Sequence, residues 1–421
     1  MGIVQLQSGN DITFGGLSFH IGRVSLRART WVAVLFLFAI AGCASPERMA
    51  PVPAADQARA MPLGLANARF FPGEQHAELL AEFEQAVQRQ RQVLGVAPDA
   101  KLPAAEALAI SGGGDNGAFG SGVLVGWTEA GDRPEFELVT GVSTGALLAP
   151  FAFLGPDYDR ELRDVYTTVS ADEIFIERGI IGAIYGDALS DTTPLWKLIS
   201  KYFTDTMMTA IAAEYQKGRL LLIGSTNLDA QRPTIWNVGA IAASGHPGAL
   251  DLVRNILRAS SAIPGFFQPV MIDVEVDGKP YQELHVDGGA IAQMFLYPPN
   301  IDPNKIAHRE RKAYLILNAR EDPEWADVDR RTLSIAGRAI STMIHYSGAN
   351  DLLRIYYTTR DDGIGYNLAF IGDDFTVTEK GEFDKAFMNA LFDYAYQQSR
   401  HGYPWQKVPP FLTGSGNAEM E

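Results

Sequence analysis

The first residues with chemical potential are Gly141-Val142-Ser143-Thr144-Gly145. A serine with glycine two places away on either side fits a turn so sharp that its neighbours must lack side chains, which lifts the hydroxyl clear as a nucleophile. Ser143 is read in that role, against the plainer reading of a helix N-cap in a tight turn. Ahead of it, Ser111-Gly112-Gly113-Gly114-Asp115-Asn116-Gly117 presents consecutive backbone N–H groups suited to an anion, either a phosphate or an oxyanion. Gly112, Gly114 and Gly117 also satisfy the G-x-G-x-x-G dinucleotide pattern, with Glu137 beyond them as a ribose acid. Position counts against that reading, because Glu137 falls at the start of the next strand rather than at its end. No Lys-Ser/Thr pair closes a phosphate loop either, so nucleotide binding stays as a rival reading.

A serine hydroxyl needs a proton acceptor. His246, His285, His308, His345 and His401 follow Ser143, and a Ser-His-Asp triad of the α/β-hydrolase kind would draw on one of them. Each also reads as an ordinary surface or helix histidine. The alternative is a carboxylate: Glu283-Leu284-His285-Val286-Asp287-Gly288-Gly289 reads as a strand that delivers Asp287 to its end, where glycines allow a tight turn. Asp287 is then a direct general base if desolvation raises its pKa, or simply the first residue of an Asp-Gly turn. By strand alternation His285 shares its face and has at most an auxiliary role.

The elements that must hold these residues alternate. Strands are expected at 108–110, 136–140, 219–224, 283–286 and 313–318, and helices at 76–93, 117–129, 144–153, 333–346 and 382–398. The β-α-β-α order predicts an α/β fold with a mainly parallel sheet and right-handed crossovers. Its carboxyl edge would carry both the glycine loop and Ser143.

Composition limits the partners. The 421-residue chain has a net charge of −15, which disfavours nucleic acid and electrostatic capture by anionic lipid. Its single cysteine, Cys43, excludes an intrachain disulfide framework and multi-cysteine metal sites. Arg23, Arg27 and Arg29 precede the apolar run Trp31–Ile40, the design of a signal peptide. Ile40-Ala41-Gly42-Cys43 then resembles a bacterial lipobox, which implies that Cys43 is acylated and becomes the mature N-terminus. Ala44 after it would favour the outer membrane of the cell envelope. Loss of residues 1–42, with Asp11 and those three arginines, takes the charge to −17. The expected organisation is a signal peptide with an extra N-terminal segment (1–42), a lipidated Cys43 and flexible tether (43–75), an amphipathic helical lead-in (76–97), a catalytic domain (98–405) and a tail (406–421).

Taken together, Gly112 to Gly117, Gly141 to Gly145 and Asp287-Gly288-Gly289 resemble the patatin-like phospholipases, as does Ala259-Ser260-Ser261-Ala262-Ile263-Pro264-Gly265-Phe266-Phe267. The resemblance spans about residues 105–290. It implies a three-layer α/β/α sandwich and a Ser–Asp dyad lipid acyl hydrolase without cofactor or metal, with Ser143 as nucleophile and Asp287 as base. Gly112, Gly113 and Gly114 would form the oxyanion hole, the last two foremost, and Gly117, Gly141, Gly145 and Gly288 would support the motifs. One departure is Asn116, where the family usually has Arg or Lys. Pro264, Phe266, Phe267 and Val270 read equally as an acyl groove or a core turn.

Overall fold

The computed structural model describes residues 11–14, 17–20, 48–178, 187–321 and 325–413. Residues 11–14 and 17–20 pair as an antiparallel hairpin. Cys43 and the apolar run before it lie outside the described residues.

A nine-stranded sheet organises the rest. Its strands are β1 (Arg69–Phe70), β2 (Ala105–Ile110), β3 (Leu138–Val142), β4 (Leu220–Asn227), β5 (Arg232–Asn237), β6 (Val270–Val276), β7 (Lys279–Asp287), β8 (Arg311–Arg320) and β9 (Gly365–Ile371). The order is β6-β7-β4-β3-β2-β8-β9, with β5 on β4 and β1 on β5. Neighbours from β4 through β9 are parallel; β5, β6 and β7 join antiparallel. This mixed, mostly parallel sheet flanked by helices is the expected α/β architecture.

Side-chain alternation builds the layers. Leu108, Ile110, Leu221, Ile223 and Ile316 point into one core with helices Gly117–Ala130, Thr144–Leu154, Ala249–Ser260 and Lys385–Ser399. Ala109, Leu220, Leu222, Leu315 and Leu317 point into the other, against Leu79 of helix His76–Leu94 and Leu352 and Ile355 of helix Thr332–Asp361. Helix Thr332–Asp361 runs past Tyr346, the end expected from sequence, because Leu352 and Ile355 pack on the sheet at helical spacing.

Residues 48–75 correct the expectation of a loose tether. Met61 exchanges backbone hydrogen bonds with Glu275, β1 pairs with β5, and Phe70 and Phe71 are buried. Arg69 donates through Nη2 to Glu283 Oε1 at 2.8 Å on β7, and both side chains are almost wholly buried. Burial lowers the Arg69 pKa and the Glu283 charge opposes that shift. The segment shows no periodicity because its contacts are long-range and its only strand has two residues. Arg69→Ala removes the guanidinium partner of the buried Glu283, so urea unfolding should show a loss of about 3–5 kcal/mol. The double variant Arg69→Met with Glu283→Leu should lose less than the single one.

Candidate active site

β3 and β7 reach the same place by sharing one edge of β4. β3 climbs that edge to Val142 opposite Gly224, while β5 occupies the other edge. β7 descends the free remainder antiparallel and ends with Asp287 opposite Ser225. Ser143 and Asp287 are therefore set at successive positions of β4, although 144 residues separate them in the chain.

Ser143 sits at φ 55° and ψ −125°, between β3 and the helix that starts at Thr144. Side chains with a Cβ rarely occupy that region, and the cost is of order 1–3 kcal/mol. The turn closes because glycine follows: a Cβ on Gly145 would fall 2.3 Å from the Ile110 carbonyl oxygen. Two serines brace it. Ser143 N–H donates to Ser260 Oγ (2.9 Å), whose own O–H donates to the Gly224 carbonyl (2.6 Å). Ser261 O–H donates to the Ser143 carbonyl (3.2 Å). Nothing in the local sequence marks Ser260 and Ser261 for this duty, since only tertiary packing brings helix Ala249–Ser260 to the turn.

Ser143 O–H donates to Asp287 Oδ2 at 2.6 Å, and Gly289 N–H donates to Oδ1 at 2.7 Å. Burial outweighs both bonds and pushes the Asp287 pKa up to about 7. Among the described residues, no histidine hydrogen-bonds to either side chain. His285, within β7, is fully buried; its Nδ1 meets Ser225 Oγ and its Nε2 meets Glu283. Trp236 Nε1–H donates to that same Ser225 oxygen, which leaves the Ser225 proton for His285 Nδ1.

The glycine loop follows β2 at the same sheet edge. Asn318, at the end of β8, holds it: Asn318 N–H donates to Ser111 Oγ (2.8 Å), its amide Nδ2 donates to the Ser111 carbonyl (2.9 Å), and its Oδ1 accepts from Gly120 N–H (3.0 Å). A Cβ on Gly113 would lie 2.1 Å from the Asn318 carbonyl oxygen, so only glycine fits there. Gly112 departs from the expected donor set, because its N–H is engaged by the Gln293 carbonyl at 3.1 Å. The N–H groups of Gly113 and Gly114 make no hydrogen bond to a described residue. Gly113→Ala should therefore displace the loop and reduce any loop-dependent activity by about 10²-fold or more, read as kcat/KM.

Other expected residues lie elsewhere. Glu137 is at the opposite end of the strands, with its carboxylate accepting Glu106 N–H (2.7 Å), away from the glycine loop. Phe267 and Val270 belong to the core, and Phe266 packs against Phe175. An apolar cavity of about 100 Å³, lined by Phe83, Leu138, Leu220, Leu296 and Ile306, also lies at that far end and contains neither Ser143 nor Asp287.

A strained serine hydrogen-bonded to a desolvated aspartate thus stands beside a loop with two amides that bond to no described residue, on the edge of an α/β/α sheet. Residues 108–298 match the family model described as patatin-like phospholipase, and the chain carries a patatin-like phospholipase domain over that segment. In general terms this assigns it to the lipid hydrolases. No curated protein sequence matches the chain. Among solved structures, the crystal structure of VipD from Legionella pneumophila is similar at 13% identity and a TM-score of 0.36, covering 72% of this chain and 67% of that one.

Proposed function

We propose that the chain hydrolyses lipid acyl esters with Ser143 as nucleophile and Asp287 as the only base. The observation that carries this reading is the 2.6 Å bond from Ser143 Oγ to a buried carboxylate whose pKa lies near neutrality. As the ionised Asp287 takes the hydroxyl proton, Ser143 Oγ bonds to the ester carbon and the carbonyl electron pair moves onto oxygen. The Gly113 and Gly114 N–H groups stabilise that oxyanion. On collapse, the alcohol leaves with the proton from Asp287, and an acyl-serine remains. Water then attacks the acyl carbon while Asp287 takes its proton, and the fatty acid is released with Ser143 restored.

Fluorophosphonate labelling tests this assignment. The wild type should label, Ser143→Ala should not, and alanine variants of His246, His285, His308, His345 and His401 should keep ester hydrolysis. Inactivation by a folded histidine variant would favour a triad instead. Profiling of lipids before and after incubation with the protein identifies the ester class.

The N-terminus extends the proposal to location. Arg23 to Ile40 followed by Cys43 supports acylation of Cys43 and anchoring in the bacterial cell envelope, with Ala44 favouring the outer membrane. Labelled palmitate should enter the wild type in cells and be absent from Cys43→Ser; equal incorporation would rule the site out.

A further inference from the structure

Helix Thr332–Asp361 has 30 residues and a length of about 45 Å, whereas the strands it backs have at most ten, about 33 Å. Its second half lies on the sheet, with Leu352, Ile355 and Thr359 buried. The overhang is at the carboxyl edge, because β8 leads into the helix there and the helix descends to the start of β9. Where it crosses that edge it grips the turn after Asp287. Ser347 O–H donates to the Ile291 carbonyl (3.4 Å), and Asp351 Oδ2 accepts from Gln293 and Met294 N–H (2.7 and 3.2 Å). Gln293 in turn holds Gly112. Residues 332–346, about 22 Å of helix, thus stand beyond the mouth of the Ser143–Asp287 site.

The outward stripe of this overhang is apolar where a solvated helix would be polar. Ile335, Ala339, Met343 and Tyr346 recur at helical spacing on one face; Ile335, Met343 and Tyr346 are 54%, 64% and 55% exposed. Trp325, in the connection before the helix, is 88% exposed, and Ile291 adds to the same side of the site. Charge sets the stretch apart from the rest. Residues 330–350 contain Arg330, Arg331 and Arg338 and no carboxylate, in a chain of net charge −15; Asp327 and Asp329 lie just before them, between Trp325 and Arg330. Among the described residues no helix is long and apolar enough to cross a membrane; an amphipathic helix with arginines beside its apolar stripe is suited to lying in the interface plane.

We propose that this stripe seats the chain on a phospholipid surface bearing anionic headgroups, with Ile335, Met343, Tyr346 and Trp325 entering the acyl boundary and the arginines facing the headgroups. The inference rests on the lipid-hydrolase reading for its purpose, and its geometry places the site mouth against its substrate.

Flotation tests it with the mature chain from residue 43 onward carrying Cys43→Ser and Ser143→Ala, so that neither the apolar leader, acylation nor hydrolysis interferes. On mixed phosphatidylcholine and phosphatidylglycerol vesicles this protein should float, and adding I335E, M343E and Y346E should cut the bound fraction at least tenfold. In the Ser143-containing background the same triple change should reduce vesicle hydrolysis at least tenfold and leave a water-soluble monomeric ester within twofold, which also reports that the variant is folded. Quenching of tryptophan fluorescence by brominated lipid should fall in Trp325→Phe. Equal flotation of parent and triple variant overturns the proposal. So does a lipid-free dimer that the triple change dissociates, since a second copy then covers the stripe. Flotation without hydrolysis of any ester would remove the enzymatic reading and leave the surface standing.

Discussion

Ser143→Ala is expected to lower kcat/KM for ester hydrolysis by on the order of 10⁵-fold while the protein stays folded. The loss is large because the serine oxygen forms the covalent intermediate, and among the described residues the other hydrogen-bond partner of the Asp287 carboxylate is the backbone N–H of Gly289, which is no nucleophile. What survives would come from the loop amides and from binding. The same position separates chemistry from folding. Backbone strain at φ 55° persists in alanine, whereas glycine tolerates that conformation. Ser143→Gly should therefore be more stable than Ser143→Ala by about 1–2 kcal/mol, read from urea midpoints at constant m. Equal stability of the two would mean that the turn stores no strain.

Asp287→Asn is expected to cost about 10²–10⁴-fold in kcat/KM, the usual range for a lost general base, and to remove a pH dependence. In the wild type kcat/KM should rise through a pH of about 7, where Asp287 ionises, and then level off. Stability should move the opposite way. The folded pKa lies above the unfolded value of about 3.9, so the folded state keeps a proton that the unfolded chain has released. That contribution is complete below about pH 4 and is lost as pH rises through about 7, amounting to on the order of 4 kcal/mol as an upper bound. Asparagine does not titrate. The stability of Asp287→Asn relative to wild type should therefore increase between pH 5 and pH 8 and be level above that. A relative stability independent of pH, or a wild-type rate flat from pH 5 to 9, would show that Asp287 is not held near neutrality.

How much of this was legible beforehand follows from the range of the interactions. The hydrophobic runs and glycine clusters along the chain announced β2, β3 and the helices after them, because buried parallel strands and sharp strand-to-helix turns are local in composition. Boundaries moved: the strand expected at 136–140 lies at Leu138–Val142, which joins it directly to Ser143. Asp287 was recognisable as a strand end followed by Gly288 and Gly289, but its chemistry was not. An Asp-Gly turn on a wet surface has the same sequence, and only burial separates a carboxylate near pKa 7 from an ordinary one.

Other features left no local trace. The bracing by Ser260 and Ser261, the grip of Asn318 on the glycine loop and the capture of Gly112 N–H by Gln293 all join residues far apart in the chain. The 48–75 segment has no period and no long element, so its sequence has the look of a tether, whereas its packing comes from contacts such as Arg69 with Glu283. Residue types and their spacing specify which side chains are reactive and which short elements present them. Pairing across the fold is what makes β3 and β7 divide one edge of β4, so that Ser143 and Asp287 meet as buried side chains. Strand pairing acts across the whole chain, whereas propensity and turn chemistry act over a few residues.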